Sequence, residues 1–380
     1  MKKIIYLLIL LNSIILNAQF EEDYVITELK SHKTKVLDLA FSLDGQFLYS
    51  SDEEKLLIVT ETANWEETAK FDNNYYPVKV MQVISDDALL VASGKDIKRI
   101  SLENKKLGLY TGSATHITSI DFNTEKQRII AGSYDRKIKV WDALSQEVLF
   151  VLEGHEKSTL PAAFSSDAMF AVTGSLDRTV KVWNLEDGTE KLSLKIHADN
   201  VVTVDFHPSD RYVLSGSLDK SVRLWNIETG KIVKTFAAHD KPVTKVQFLP
   251  NGQHFLSASY DGTVYLYECF TGKRVTSFID HEGAVTAFAF NKNGTILATG
   301  GEDGKVFIYD LGKEVYVYEK YYQELDEKKA GSSLFDEKRK GENKADYESR
   351  LQRAKKQYDA WIDEFYNDYE KYLQLNNLPK

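Results

Sequence analysis

A short phrase that recurs at a fixed interval constrains this chain more than any other feature. Residues 173–184 read TGSLDRTVKVWN, and residues 215–226 read SGSLDKSVRLWN. The aspartate of the phrase returns every 42 residues, at Asp135, Asp177, Asp219, Asp261 and Asp303. An aromatic residue follows each aspartate after six residues, at Trp141, Trp183, Trp225, Tyr267 and Tyr309. Such a period indicates repeated supersecondary units, each of which buries its apolar face against the next.

Each unit divides into four short strands. In the fifth unit the strands are VVTVDF, RYVLSGS, SVRLWNI and KIVKTFA, and HPSD, LDK and ETGK separate them. Alternating apolar residues, enriched in β-branched and aromatic types and bounded by turn residues, are typical of β-strands. Four strands in 42 residues fit one blade of a β-propeller.

A histidine is predicted to open each unit. These histidines are His116, His155, His197, His239 and His281. His32 lies 84 residues, or two periods, before His116. One more unit therefore fits between them, and the total becomes seven.

At these residues the chain resembles the WD40 repeat family, over about residues 24–311. The resemblance rests on the GH pair at 154–155, on the SxD turn at 175–177, and on the WN or WD pairs that begin at Trp141, Trp183 and Trp225. It implies an all-β fold, a seven-bladed β-propeller of four-stranded blades. It also implies a buried hydrogen-bond chain in each blade, from Trp through Ser or Thr and His to Asp. The residues assigned to this network are His116, Ser133, Asp135, Trp141, His155, Ser175, Asp177, Trp183, His197, Ser217, Asp219, Trp225, His239, Ser259, Asp261, His281 and Asp303.

The same side chain types also form catalytic triads, so two interpretations compete. A nucleophilic site is needed once, whereas this set of His, Ser and Asp recurs with every unit. A satisfied polar network fixes the geometry of the blade around it. We therefore predict a structural role for the set and no catalytic residues.

The first two units have diverged from the others. The first keeps His32 and a turn at Ser50, Ser51 and Asp52, with Ile58 in the position of the Trp. The second, about residues 75–112, keeps only a turn at 93–96, with Leu102 in the position of the Trp. Apolar contacts are expected to hold these two blades, and six blades remain an alternative to seven.

A closed ring leaves no open sheet edge between its first and last blades. Residues 24–29 precede His32 as KIVKTF precedes His239, so they are expected to form the outer strand of the last blade. Residues 312–320, GKEVYVYEK, match GKIVKTF and are the alternative source of that strand. The N-terminal strand is favoured.

The chain begins with two lysines, an apolar run over 4–16, and Leu16-Asn17-Ala18 before an acidic, polar continuation. This layout predicts a signal peptide over residues 1–18 and an exported, periplasmic or secreted, protein. A membrane anchor is the alternative, but the run is shorter than the roughly 20 residues that span a bilayer. Cys269 is the single cysteine, so no intramolecular disulfide can form, and burial is the favoured interpretation of its thiol.

A net charge of −9 argues against nucleic acid as a partner, because phosphate contacts need a basic face. The propeller is predicted over 19–311 and a charged, aromatic, helical extension over 312–380. From about Lys344 the apolar residues recur at helical spacing, with a shorter helix at 318–329. They are Tyr347, Leu351, Ala354, Tyr358, Trp361, Ile362, Phe365, Tyr369 and Tyr372. Packing on the propeller, self-association and binding of a partner protein remain open for this face.

The function that the pattern favours is a non-catalytic scaffold for protein partners of unknown identity. The resemblance implies that the residue before each aspartate points to partners from the top face; these residues are Tyr134, Leu176, Leu218, Tyr260 and Glu302. An exposed apolar ring marks an interaction site, whereas burial by neighbouring loops is the alternative.

The competing function is a propeller enzyme with a metal or redox cofactor over the central channel. Asp121 and Asp205 share one register of the innermost strand, with Gln247 one blade later, but two carboxylates two blades apart are a thin metal site. No phosphate loop, CxxC, HExxH or haem motif is present. We expect no cofactor and no metal.

Overall fold

The computed structural model describes residues 25–71, 77–85, 88–101, 106–195 and 197–312, together with Val315 and short stretches within 346–361. The predicted signal peptide, Leu102, the predicted helix at 318–329 and most of the alternative strand at 312–320 lie outside the described residues. Residues Ile26–Tyr309 form one compact unit, and the described residues from Asp310 onward belong to another.

Within the described residues, 28 strands form seven four-stranded sheets, which confirms the predicted fold class. The first strand of the chain is β1, Val25–Leu29. Blade one contains β2–β5: Val36–Phe41, Phe47–Asp52, Leu57–Glu61 and Glu66–Phe71. Blade two contains β6–β9: Val80–Ser85, Ala88–Ser93, Asp96–Ser101 and Lys106–Tyr110. Blade three contains β10–β13: Ile117–Asn123, Arg128–Ser133, Ile138–Asp142 and Val148–Leu152.

The next three blades repeat the same order. Blade four contains β14–β17: Thr159–Phe164, Phe170–Ser175, Thr179–Asn184 and Thr189–Lys195. Blade five contains β18–β21: Val201–Phe206, Tyr212–Ser217, Val222–Asn226 and Lys231–Phe236. Blade six contains β22–β25: Val243–Phe248, His254–Ser259, Val264–Glu268 and Arg274–Phe278.

The last blade takes its strands from both ends of the propeller. It contains β26–β28, Val285–Phe290, Ile296–Gly301 and Val306–Asp310, and β1 lies beside β28 as its outer strand. This is the position predicted for residues 24–29. The inner strand β2 of blade one contacts the inner strands of both blade two and blade seven, so the sheets form a closed ring.

The apolar core lies between blades. One cluster joins Val180 and Val182 of blade four to Val204 and Trp225 of blade five. The glycine of the recurring phrase follows from this packing, because a Cβ at Gly216 would lie 2.8 Å from Val243 Cγ1 in the next blade. Burial on the neighbouring blade is what makes each repeat depend on the next.

The described residues within 346–361 are helical, as predicted for the C-terminal extension. Arg350 and Ala354, one turn apart, are buried, and the Arg350 guanidinium lies 5.4 Å from the centre of the Tyr347 ring. No helix of the described residues is long and apolar enough to cross a membrane.

Candidate partner-binding face and central channel

Blade five shows the polar network in full. His197 Nδ1 lies 2.8 Å from Asp219 Oδ2, and Nε2 lies 2.8 Å from Ser215 Oγ. Trp225 Nε1 donates to the same Ser215 Oγ at 2.8 Å. An imidazole that donates from Nδ1 to the carboxylate accepts at Nε2, so Ser215 Oγ accepts a hydrogen bond from the indole N–H and donates its own O–H to His197 Nε2. Every polar atom of the chain is thus satisfied inside the blade.

The same chain of hydrogen bonds recurs, with variations, in four other blades. Blade four uses His155, Asp177, Thr173 and Trp183. Blades one, six and seven keep the carboxylate, imidazole and hydroxyl but lack the Trp. The residues are Asp52, His32 and Ser50 in blade one, Asp261, His239 and Ser257 in blade six, and Asp303, His281 and Thr299 in blade seven. The tyrosines use other acceptors, since Tyr267 donates to the Ala238 carbonyl and Tyr309 to Asp280 Oδ2.

The prediction of the hydroxyl partner was wrong by two residues. Ser175 Oγ donates to the Ser158 carbonyl at 2.9 Å and accepts from Asp177 N, so it ties the loop before the inner strand to the turn. Ser217 and Ser259 make the equivalent bonds. The linking hydroxyls stand ten residues before the aromatic residue, a spacing that would have identified them; they are Thr173, Ser215, Ser257 and Thr299.

The assignment of His116 to the network was also wrong. Histidines that join an aspartate stand 22 residues before it in blades four to seven, whereas His116 stands 19 residues before Asp135. His116 is exposed, and its carbonyl accepts from Ser133 Oγ. Trp141 Nε1 donates to the Thr111 carbonyl at 3.4 Å instead. Blade three therefore keeps the buried Trp without the histidine chain.

Blade one, the first diverged blade, differs in register from the prediction. Asp52 holds the position of Ser217, because Val36 pairs with Asp52 as Val201 pairs with Ser217. The residue six positions after Asp52 is therefore not the counterpart of the Trp: Ser50 pairs with Ile58 and Leu48 with Thr60. In blade five Ser215 pairs with Arg223, and Val213 with Trp225, so the position of the Trp in blade one belongs to buried Thr60 and not to Ile58.

Hydrogen bonds lower the pKa of several network carboxylates. Burial acts to raise the pKa of Asp177, but hydrogen bonds from His155 and Thr179 outweigh burial and hold that pKa well below its usual range. The same causes lower the pKa of Asp219 and of Asp261. The lowered pKa values favour the charged form of these three carboxylates, which accept the hydrogen bonds of their networks.

The residues predicted to meet partners occupy one repeated position. The backbone N–H of each donates to a carbonyl of the loop before the inner strand, as with Leu218 and Asn200 at 2.9 Å. Tyr134 is 46% exposed and Tyr260 41% exposed, whereas Leu176 and Leu218 are half-buried. Of the four apolar residues at this position, the two tyrosines are thus the exposed ones.

The remainder of this ring is charged. Glu302 is exposed, and its Oε1 lies 3.5 Å from Lys35 Nζ of blade one. Glu53 N donates to the Lys35 carbonyl, which places Glu53 in the same repeated position. At this repeated position the residues are therefore apolar in blades three to six and charged in blades seven and one.

The innermost strands enclose a central channel with a cavity of about 600 Å³. Asp121 Oδ2 accepts from Phe164 N at 2.8 Å, and Asp205 Oδ2 accepts from Phe248 N at 2.7 Å. Each of these two carboxylates links its blade to the next by a hydrogen bond. Both aspartates are therefore hydrogen-bonded side chains, which is the alternative to a role as metal ligands. Among the described residues, no group of three or more His, Cys, Asp or Glu side chains could hold a metal ion.

Asp38 is a third channel carboxylate, which the sequence did not reveal because it lies in a different register. Its Oδ2 accepts from Met81 N at 2.7 Å, and its Oδ1 lies 3.8 Å from Lys245 Nζ. The three aspartates join blade one to two, three to four, and five to six.

Replacing Asp205 with Asn is expected to change how stability depends on pH. The pKa of Asp205 is raised to about 7: burial is the largest cause and Asp121 adds to it, while Phe248 N–H and Lys245 oppose it. The folded carboxyl holds its proton more tightly than the unfolded one, so its contribution to stability is complete below about pH 4 and is lost as pH rises through the folded pKa. The melting temperature of Asp205→Asn relative to wild type should therefore rise from about pH 4 to about pH 7.

Thermal melts across this pH range test the prediction. Asp240→Asn, at an exposed carboxylate, is the control and should run parallel to wild type. Parallel profiles for Asp205→Asn and wild type would contradict the buried, hydrogen-bonded role of Asp205.

Two family models match the chain. Residues 116–324 match the model of the IFT122 first beta-propeller, which is more than half of the chain. Residues 24–59 match the WD domain, G-beta repeat.

Similar curated proteins match over short segments. The chain is 37% identical over 67 residues to dynein assembly factor with WD repeat domains 1 of Danio rerio, covering 17% of this chain and 16% of that protein. It is 27% identical over 132 residues to the U5 small nuclear ribonucleoprotein 40 kDa protein of Dictyostelium discoideum, covering 34% and 37%. The alignments thus span less than half the length of these relatives.

Proposed function

The chain belongs to the WD40 β-propeller family, and from this membership we propose that it is a non-catalytic scaffold that binds protein partners through its top face. The observation that carries the proposal is the pair of tyrosines, Tyr134 and Tyr260, exposed at one repeated position of a rigid ring. Exposed aromatic side chains on a rigid support are favoured anchors of protein interfaces because they lose little conformational entropy on binding.

The relatives support a role in protein assemblies. One is named as an assembly factor, and another as a protein of a ribonucleoprotein. For this chain we propose protein partners only, because a net charge of −9 disfavours contact with phosphates.

The proposed partner meets an apolar arc and a charged arc on the same face. Tyr134 and Tyr260 offer aromatic contact, with Leu176 and Leu218 between them at half-buried positions. The Lys35–Glu302 pair lies on the opposite arc, where rim charges would orient the partner and set the salt dependence of binding more than the affinity.

The double substitution Tyr134→Ala with Tyr260→Ala is expected to weaken partner binding at least tenfold, roughly the loss of one aromatic anchor. Both side chains are more than two-fifths exposed, so the melting temperature should stay close to that of wild type. Quantitative affinity purification from the native source, with a thermal melt of each variant, measures both effects.

The control removes two apolar side chains of similar fractional exposure from the opposite face of the propeller. Leu43 and Met169 are each 40% exposed and lie in the turns between the first and second strands of their blades. Leu43→Ala with Met169→Ala should retain the partners. A destabilised tyrosine variant would instead show that these rings support the fold.

We further propose that the protein is exported. The support is the sequence of residues 1–18, with its lysines, apolar run and small residue at Ala18. N-terminal sequencing of the mature protein is expected to begin at Gln19, because cleavage follows the small residue. Retention of Met1 in the envelope fraction would contradict cleavage and favour an anchor.

The C-terminal extension supplies a second proposed contact. Its described helical residues include half-buried Tyr347 and Trp361 on the apolar face predicted from the sequence. Self-association and docking of a partner are both compatible with such a face.

A further inference from the structure

The outer strands of the seven blades differ in how they protect their free edges. Six of them carry at least one charged residue, as β21 carries Lys231 and Lys234. The described strand β13 carries none, since its sequence is VLFVL. Charged side chains on an edge strand oppose pairing with another chain, so β13 lacks the device that the other edges possess.

The apolar side chains of β13 are exposed. Val148 and Val151 are each 45% exposed, and Leu149 is 41% exposed. Leu144, in the turn before the strand, is 70% exposed. Among the described strands, β13 pairs only with β12, and its other edge carries no neighbour. The strand therefore presents backbone donors and acceptors beside an apolar surface, which is what an added strand requires.

The charges around β13 indicate the chemistry of the strand that fits. Glu147 and Glu153 flank it, and Glu153 Oε1 lies 2.7 Å from Lys137 Nζ. Glu147 is exposed, and the structure shows no side chain bond for it among the described residues. A basic residue at the end of an added strand would meet this carboxylate across the pair.

A second copy of the chain fits less well. Antiparallel pairing of two β13 strands with full overlap, centred on Phe150, places Glu147 of each copy opposite Glu153 of the other. Like charges directly opposite each other destabilise a strand pair, and each copy also carries a net charge of −9.

We propose that β13 is a docking edge for an extended segment of another protein, with apolar residues at alternate positions and basic residues at its ends. The segment adds a fifth strand to blade three. This edge lies on the outer rim of the ring, so its binding is separate from that of the top face.

The test uses the full chain and two fluorescein-labelled peptides, Lys-Val-Thr-Val-Thr-Val-Lys and the same peptide with Glu at both ends. Fluorescence anisotropy is expected to show saturable binding of the lysine peptide, weakened by salt, and at least tenfold weaker binding of the glutamate peptide. Leu149→Lys should reduce binding of the lysine peptide at least tenfold, because it restores the charge that protects other edges.

A matched control sits two blades further on. Val233 of β21 holds the register of Leu149 and is 43% exposed, so Val233→Lys should leave binding unchanged. The Tyr134→Ala and Tyr260→Ala double variant should also bind normally, which separates this proposal from the top face. Equal binding by both peptides, equal loss in both lysine variants, or absence of saturable binding would overturn the proposal. A dimer in light scattering that Leu149→Lys dissociates would also overturn it, because a second copy would then cover β13.

Discussion

Deleting residues 19–31 is expected to abolish the single cooperative unfolding transition of the propeller. The deletion removes β1, the outer strand of blade seven, and leaves β28 as an open edge. It also removes Leu29, which packs against the core between blades one and seven, and Glu28, whose Oε1 lies 3.2 Å from Lys305 Nζ. Each blade is stable only when packed against its neighbours, so a defect in the closing blade destabilises the whole ring. The loss of unfolding free energy should therefore approach the total stability, roughly 5–15 kcal/mol.

Circular dichroism and calorimetry during thermal unfolding measure this result. The matched control deletes only residues 19–24, which leaves Val25–Leu29 in place and should preserve the transition. A stable, cooperative protein without residues 19–31 would show that another segment closes the ring, with 312–320 as the first alternative.

Trp183→Ala is expected to cost about 3–5 kcal/mol of unfolding free energy, the usual range for truncating a buried tryptophan. Trp183 is 1% exposed and packs between blades three and four. Its loss leaves a cavity and also removes the indole donor that Thr173 Oγ1 accepts at 2.8 Å. Urea unfolding at neutral pH, with the midpoint and slope compared between variants, measures the cost.

Trp183→Phe separates the two contributions. It keeps most of the ring volume and removes the hydrogen bond, so a smaller loss of about 1–2 kcal/mol is expected. Leu43→Ala, at an exposed turn position, should be close to neutral. An unchanged urea midpoint for Trp183→Ala would contradict the role of the network as the clamp of its blade.

The local sequence signals of each repeat were sufficient to predict the fold. Alternating apolar residues, turn residues and a period of 42 residues predicted four strands per blade and seven blades, and all seven sheets are present in the described chain. These signals are local because side chain alternation and turn chemistry act within a few residues. The helical spacing after Lys344 is local in the same sense, and the described residues there are helical.

The hydrogen-bond partners of the polar side chains were harder to predict from the sequence. Asp177 meets His155 as the spacing predicts, but Thr173 and not Ser175 links Trp183 to the histidine. His116 carries the expected residue type at the wrong distance from Asp135. Which of several nearby hydroxyls and imidazoles meet depends on strand register and bulges, which sequence spacing alone resolves only to within a few residues.

The amino-acid sequence alone established the repeat, the four strands of each blade and the net negative charge of the chain, and it favoured seven blades over six. Only the tertiary structure decided what lies between blades: the bond from Asp38 to Met81, the exposure of Tyr134 and Tyr260, and the bare edge of β13. A repeat encodes its own strands locally, whereas contacts between blades join residues tens of positions apart, such as Asp38 and Met81, and their geometry exists only once the ring has closed.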